Sequence, residues 1–333
     1  METRRLLAVG LGIALAIGVA TLIGKAADYA RLLDELGQVN APWLVLCLAG
    51  EALAYGGYIL ALRDVARVSG GPELDYWTTA RVVAVGFGAF AVGAAAGGLA
   101  VDYWALRKAK APPHRAIARV LALNTLQWAW LALAAAAAAA ALLLGLSGGA
   151  PLAFTLPWLL VVPPTFVLAA WVSAPARAER LAEGPDGDGL RAKALRLFAD
   201  AVRGLVFVRA LVARPGTYPA GVFGLAVYWL GDLVCLYGGL RAFGESVPVA
   251  PLLVGYATGY VATALPLPAG GAGGVDASLT FALHAVGVPL APALLGVFAY
   301  RLFNFWLPIV PALLALPTVK GLADDLEESP KPA

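Results

Sequence analysis

Six ionisable side chains interrupt the long apolar stretches of this chain: Glu51, Asp102, Asp232, Asp276, His284 and Arg301. A charged side chain at the centre of a bilayer costs about 2.5–3.5 kcal/mol on insertion scales, so each is a candidate for function. Arg301 carries the most specific chemistry, because a guanidinium presents a planar fork of N–H donors that fits a phosphate. Asp276 follows the segment Leu265-Pro266-Leu267-Pro268-Ala269-Gly270-Gly271-Ala272-Gly273-Gly274-Val275. Backbone N–H groups of Gly270, Gly271, Gly273 and Gly274, with the N-terminal end of a helix starting near Val275, would favour an anion there. In an apolar setting the anion at hand is a lipid headgroup phosphate. The same geometry allows a second reading, in which Asp276 and Arg301 form an ion bridge that locks a folded-back hairpin to the following helix.

Glu51 and Asp232 read either as polar contacts between helices or as functional carboxylates, coupling protons or meeting a cationic headgroup. Asn124, Gln127 and Asn304 suit hydrogen bonds across helices. Asp102 and Arg107 stand near an interface and can pair there, and His284 reads as an interface residue. Two distant histidines and two cysteines, Cys47 and Cys235, both inside apolar stretches, offer no metal-ligand spacing and no disulfide framework. No phosphate loop, nucleophile elbow or Ser/His/Asp set is present, so neither a metal nor a cofactor is expected, and no catalytic residue is assigned.

The elements that must position these groups are membrane helices. The chain is 61% hydrophobic and 14% charged, with nine Trp, and its mean hydropathy is +0.79. Apolar runs of twenty residues or more place it among polytopic all-α membrane proteins. A net charge of +3 is too small to indicate nucleic acid. Six stretches are long enough to cross: Arg5 to Gly24, Ala41 to Leu62, Ala116 to Leu146, Pro151 to Ser173, Thr217 to Ala242 and Pro289 to Thr318. The first lacks a small-residue cleavage site and reads as a retained helix rather than a signal peptide.

Two further apolar regions are broken by glycine. The first runs from about Thr78 to Lys110 and contains Gly86, Gly88, Gly93, Gly97 and Gly98; the second runs from about Ala250 to Gly287 and contains the Pro-Gly motif. Two prolines and four glycines within 265–274 cannot propagate a helix. Irregular backbone survives at membrane depth only where protein or a water-filled cavity covers it, and transporters place substrate sites at such breaks. Basic residues flank the first region on both sides, Arg63, Arg67 and Arg81 before it and Arg107, Lys108, Lys110, Arg115 and Arg119 after it. Under the positive-inside rule both flanks are cytoplasmic, so the region is expected to be a re-entrant hairpin. Carrying the count forward puts a second re-entrant hairpin on the opposite face and both chain termini in the cytoplasm.

A shift of 176 residues lays Gly97-Gly98 on Gly273-Gly274 and Pro113 on Pro289, a pointer to inverted-repeat transporter architecture. The expected organisation is one membrane domain over 1–333 with repeat halves of about 1–174 and 190–320. Residues 175–189 form a cytoplasmic loop between them. The stretch 190–214 reads as a basic amphipathic helix at the interface, and 321–333 as a disordered tail. Small residues at Gly56-Gly57 and Gly238-Gly239 are accounted for by close helix packing.

The motif Pro266-Leu267-Pro268-Ala269-Gly270-Gly271-Ala272-Gly273-Gly274, then Gly287-Val288, Tyr300-Arg301-Leu302 and Trp306-Leu307-Pro308, resembles the membrane domain of the lysylphosphatidylglycerol synthase and flippase family. Trp229-Leu230-Gly231-Asp232 and Ala242-Phe243-Gly244 extend the likeness, which is strong over the C-terminal half and loose over the N-terminal half, where Gly93-Ala94-Ala95-Ala96-Gly97-Gly98 lacks the prolines. The resemblance implies a stand-alone member without the soluble aminoacyl-transferase domain. Its expected function is to move an anionic phospholipid or a polyprenyl-phosphate-type lipid between leaflets of a prokaryotic cell membrane. The alternative is a lipid-presenting accessory subunit, or a membrane enzyme partner, of a separate soluble glycosyl- or aminoacyl-transferase.

Overall fold

The computed structural model describes residues 36–183, 189–264 and 273–328, with Gly18 and Asp34 besides. The expected first span, Arg5 to Gly24, and the motif residues Leu265 to Ala272 lie outside the described residues. All regular structure described is helical: α1 (Pro42–Arg67), α2 (Tyr76–Lys108), α3 (Pro113–Leu143), α4 (Leu152–Val172), α5 (Pro175–Leu181), α6 (Leu190–Val212), α7 (Pro219–Ala242), α8 (Val249–Tyr260), α9 (Gly274–Ala285), α10 (Leu290–Arg301), α11 (Ile309–Ala315) and α12 (Val319–Glu328). Proline occupies the first turn of α1, α3, α5 and α7, where its missing N–H costs nothing and its fixed φ suits a helix start. Five stretches are long and apolar enough to cross a membrane: α1, α3, α4, α7 and the composite Leu290–Ala315. They match five of the six spans expected from sequence.

The core of the protein is the antiparallel pair α1 and α7. A Cβ added to Gly50 would lie 2.5 Å from the carbonyl oxygen of Gly231, one on Gly57 2.4 Å from that of Gly224, and one on Gly238 2.9 Å from that of Trp43. The seven-residue spacing of these glycines keeps them on one stripe of each helix, so the two backbones touch. Gly56, grouped with Gly57 in the sequence reading, instead faces open space.

A straight helix of 33 residues would be about 50 Å long, yet α2 is folded. A Cβ on Gly97 would lie 2.1 Å from the carbonyl oxygen of Ala89, and one on Gly86 3.8 Å from Val101. Eight and fifteen residues of straight helix would separate these pairs by about 12 and 22 Å. The chain therefore reverses between Phe90 and Gly97, with the two arms in contact through small residues. Both feet of this hairpin end at α12: Arg81 pairs with Asp325, and Lys108 Nζ lies 2.7 Å from Glu327. Stretch 319–328, part of which was expected to be a disordered tail, is thus an ordered helix as far as Glu328, anchored also by the fully buried Leu322 and Leu326.

The second hairpin is built from α8, the 3-10 turn Val261–Ala264 and α9. Its arms run antiparallel, with Gly259 against Leu279 and Gly255 against Leu283 and Val286. Helix, hairpin, long helix is therefore the order in both halves: α1, α2, α3, and then α7, the α8–α9 hairpin, and α10 to α11. The roots of the hairpins lie at opposite ends of α3. Its start follows the foot of the first hairpin directly, and beyond its end Gly148 meets Pro251 at the root of the second.

Helix α10 passes into a π segment, Leu302–Trp306, before α11. The N–H of Leu307 bonds the carbonyl of Leu302 at 2.8 Å, a five-residue step. Pro308, which has no N–H and crowds the carbonyl four residues back, is the local cause. The extra residue in the turn re-aims the side chains from Arg301 to Phe305.

Candidate functional site

A cavity of about 300 Å³ opens between the two hairpins. Phe87, Phe90 and Asp102 come to it from the first hairpin, Tyr260 and Thr263 from the second, Asn124, Gln127 and Trp128 from α3, and Tyr58 from α1. Tyr228 and Trp229 of α7 and Asn304 of the π segment complete the wall. The aromatic rings form a continuous surface: Tyr58 stands 5.8 Å from Phe87 and 5.9 Å from Tyr228, and Trp229 5.2 Å from Tyr260. Asp102, only 2% exposed, carries the one formal charge among the described lining residues, and its Oδ2 accepts from the Tyr58 hydroxyl at 2.8 Å. A carboxylate in an aromatic-lined cavity is suited to an organic cation. Arg107, considered as a partner for Asp102, instead donates to the carbonyl of Ala111 at 2.6 Å.

Behind that wall lies a buried polar cluster centred on Asp232, which is fully buried. Tyr256 donates to its Oδ2, Tyr300 donates to the same oxygen at 2.9 Å, and Asn304 donates to Oδ1 at 2.6 Å. Glu51 adjoins it from α1, where Gly50 and Gly231 bring the two backbones together. Glu51 is 5% exposed, and its Oε1 has no hydrogen-bond partner among the described residues. Cys47 and Cys235 are both free and buried nearby, the Cys47 thiol donating to the Cys235 carbonyl at 3.2 Å.

Asp276 and Arg301 form a buried ion pair, in which Arg301 Nη2 has no hydrogen-bond partner among the described residues. Arg301 Nε lies 2.7 Å from Asp276 Oδ1, and its guanidinium carbon sits 4.3 Å from the centre of the Phe305 ring. Asp276 Oδ2 accepts the backbone N–H of Gly273 at 2.9 Å, so the chain's own carboxylate occupies the anion position at the start of α9. Gly273 has φ +82°, a left-handed conformation that its lack of a Cβ permits. This is the ion-bridge arrangement allowed by sequence, and Arg301 does not line the cavity. Gly274 begins α9 beside the pair, while Gly270 and Gly271 lie outside the described residues. His284 Nδ1 lies 2.8 Å from the carbonyl of Val288, a local contact at the end of the second hairpin.

The structure therefore brings Glu51 and Asp232 together, joins Asp276 to Arg301, and leaves the two pairs separate from Asp102. Sequence reasoning passed over the aromatic half of the cavity. Tyr58, Phe87, Trp128, Tyr228 and Tyr260 come from five separate segments, and nothing in their spacing links them. Their common signal is polar-tipped or bulky rings in helices otherwise made of Ala, Gly, Val and Leu.

The fold and the site define an all-α polytopic membrane protein with two opposed helical hairpins and a polar, aromatic cavity between them. The family described as Lysylphosphatidylglycerol synthase TM region matches residues 8–312 of the 333, and the chain belongs to that family. No curated protein matches the chain. Membership ties this membrane protein to lipid handling.

Proposed function

We propose that this protein moves a phospholipid between leaflets, the headgroup passing through the cavity between the hairpins while the acyl chains stay in the hydrocarbon. The observation that carries the reading is Asp102 beside Tyr58, at the edge of an aromatic cavity with no Lys, Arg or His among its described lining residues. The cavity volume is at the small end for ligand sites and suits a headgroup, not a whole lipid. This chemistry favours a headgroup with a positive group beside its phosphate, such as an aminoacylated phosphatidylglycerol, over the purely anionic lipids considered from sequence. Arg301, already balanced by Asp276, then serves to hold the second hairpin, and a direct phosphate contact is the lesser reading.

Both feet of the first hairpin meet α12, which supports entry and exit of that hairpin on one face, cytoplasmic by the charge of its flanks. The roots of the two hairpins at opposite ends of α3 support insertion from opposite faces. Alternating exposure of the shared cavity follows from moving one hairpin against the other.

The test is translocation of fluorescent lipids in proteoliposomes, comparing phosphatidylglycerol, its lysyl form and a polyprenyl phosphate. The lysyl form is expected to move fastest and to slow at least about tenfold in Asp102→Asn, the loss of one charge-assisted contact worth about 1.4 kcal/mol or more. Equal transfer of all three lipids, unchanged by Asp102→Asn, would remove the headgroup assignment. Lipid binding without transfer would point to the lipid-presenting subunit.

A further inference from the structure

The carboxyl pair behind the cavity is not used by headgroup binding, and its geometry is unequal. Asp232 accepts three hydrogen bonds, two on Oδ2 and one on Oδ1, which is the environment of a carboxylate anion. Glu51, beside it, has a buried oxygen that receives nothing. Two adjoining carboxyls in an apolar interior share one negative charge between them, because like charges at this range repel strongly in low dielectric. The other charged groups in reach are few. Arg301, on α10, faces Asp232 but is neutralised by Asp276 of α9. The titratable neighbours on the remaining elements are hydroxyls or thiols: Cys47 and Tyr55 on α1, Tyr228 and Cys235 on α7, Tyr256 and Tyr260 on α8, and Tyr300 on α10. The pair also has a direct link to the cavity, since Asn304 lines the cavity wall and donates to Asp232.

We propose that Glu51 and Asp232 form one proton-binding site that exchanges a proton for the cationic headgroup, making translocation proton-coupled. The proposal rests on the lipid-translocating reading above. With the cavity empty, the pair holds one proton and one negative charge, and Glu51 is the protonated partner. When a positively charged headgroup enters, Asn304 and the cavity wall carry its field to the pair, and the O–H bond of Glu51 breaks. The proton leaves to water, and the added negative charge balances the added positive one. After the headgroup departs on the far side, a proton from that side restores the neutral carboxyl. One cation moves for one proton, and no redox partner is involved.

The experiment uses the full chain in proteoliposomes of neutral lipid with a pH-sensitive dye inside, loaded with lysyl-phosphatidylglycerol as the probe. Wild-type protein is expected to move protons opposite to the lipid, to speed up severalfold under a favourable pH gradient, and to lose that gain with a protonophore. Glu51→Gln, which keeps the shape but cannot release a proton, is expected to lose the response to the gradient, and Glu51→Asp to recover part of it. Lipid movement in wild type without proton movement overturns the coupling and leaves the translocator reading standing. Absence of lipid movement for every lipid tested overturns the translocator reading, and the coupling with it. The wild-type proton signal needs no variant, so misfolding of Glu51→Gln cannot hide the answer.

Discussion

The two hairpins differ in how they are held. The second is fastened at its α9 arm by an ion pair that is nearly inaccessible to water, Arg301 being 3% exposed, with Phe305 stacked on the guanidinium. The feet of the first are tied to α12 by ion pairs whose side chains are a third to a half exposed, including Arg81 with Asp325 and Lys108 with Glu327. Buried charges are costly to separate, while exposed pairs are screened by salt and contribute little each. On the translocator reading the second hairpin is therefore the fixed wall of the cavity and the first, which carries Asp102, the one that moves.

The largest effect should come from breaking the fixed wall. Arg301→Met or Asp276→Leu alone leaves an uncompensated buried charge and is expected to cost about 3–5 kcal/mol, while the double variant should cost much less than the sum. Unfolding in detergent across the four proteins measures this, and simple additivity would mean that the pair is not the fastening. Next in size is the central helix pair. Gly57→Ala drives a Cβ into the Gly224 carbonyl and is expected to destabilise by about 1–3 kcal/mol. Gly56→Ala, one residue along and facing open space, should be neutral or stabilising by up to about 1 kcal/mol. Equal effects of the two would deny the backbone contact.

The smallest effect belongs to the moving hairpin. The hydrogen bond and charge of Lys108 hold the Glu327 carboxyl below the usual glutamate range. A lowered value means that the ionised pair stabilises the folded state above the ordinary glutamate pKa, and that this contribution fades as pH falls through the depressed one. Hydrogen exchange over 76–108 should accelerate modestly in Glu327→Gln and in high salt, with a smaller effect of salt on the variant, in which only the Arg81–Asp325 pair remains to be screened. An equal salt response in variant and wild type would place the sensitivity elsewhere.

Much of the architecture was legible before any coordinates, because apolar length, basic flanks and glycine breaks each have a direct physical cause. The five described spans match. The departure at α12 has an equally plain cause. Its acidic residues look solvated in sequence, but they meet Arg81, Lys108 and Lys110, more than two hundred residues earlier, while Leu322 and Leu326 go into the core. The π segment was hidden in the same way, since Pro308 signals a disturbed turn without saying which side chains it re-aims.

By itself the sequence determined that the chain lives in a membrane, where its helices cross, and that a few ionisable groups are buried at a cost that demands partners. Which partner each found was decided only by tertiary structure. Asp276 and Arg301 were equally able to bridge each other or a phosphate, and Glu51 and Asp232 are 181 positions apart in the chain. Pairing in a low-dielectric interior depends on a few ångströms of separation, and that separation is set by the touching backbones of α1 and α7 and by the turn of α10 into its π segment.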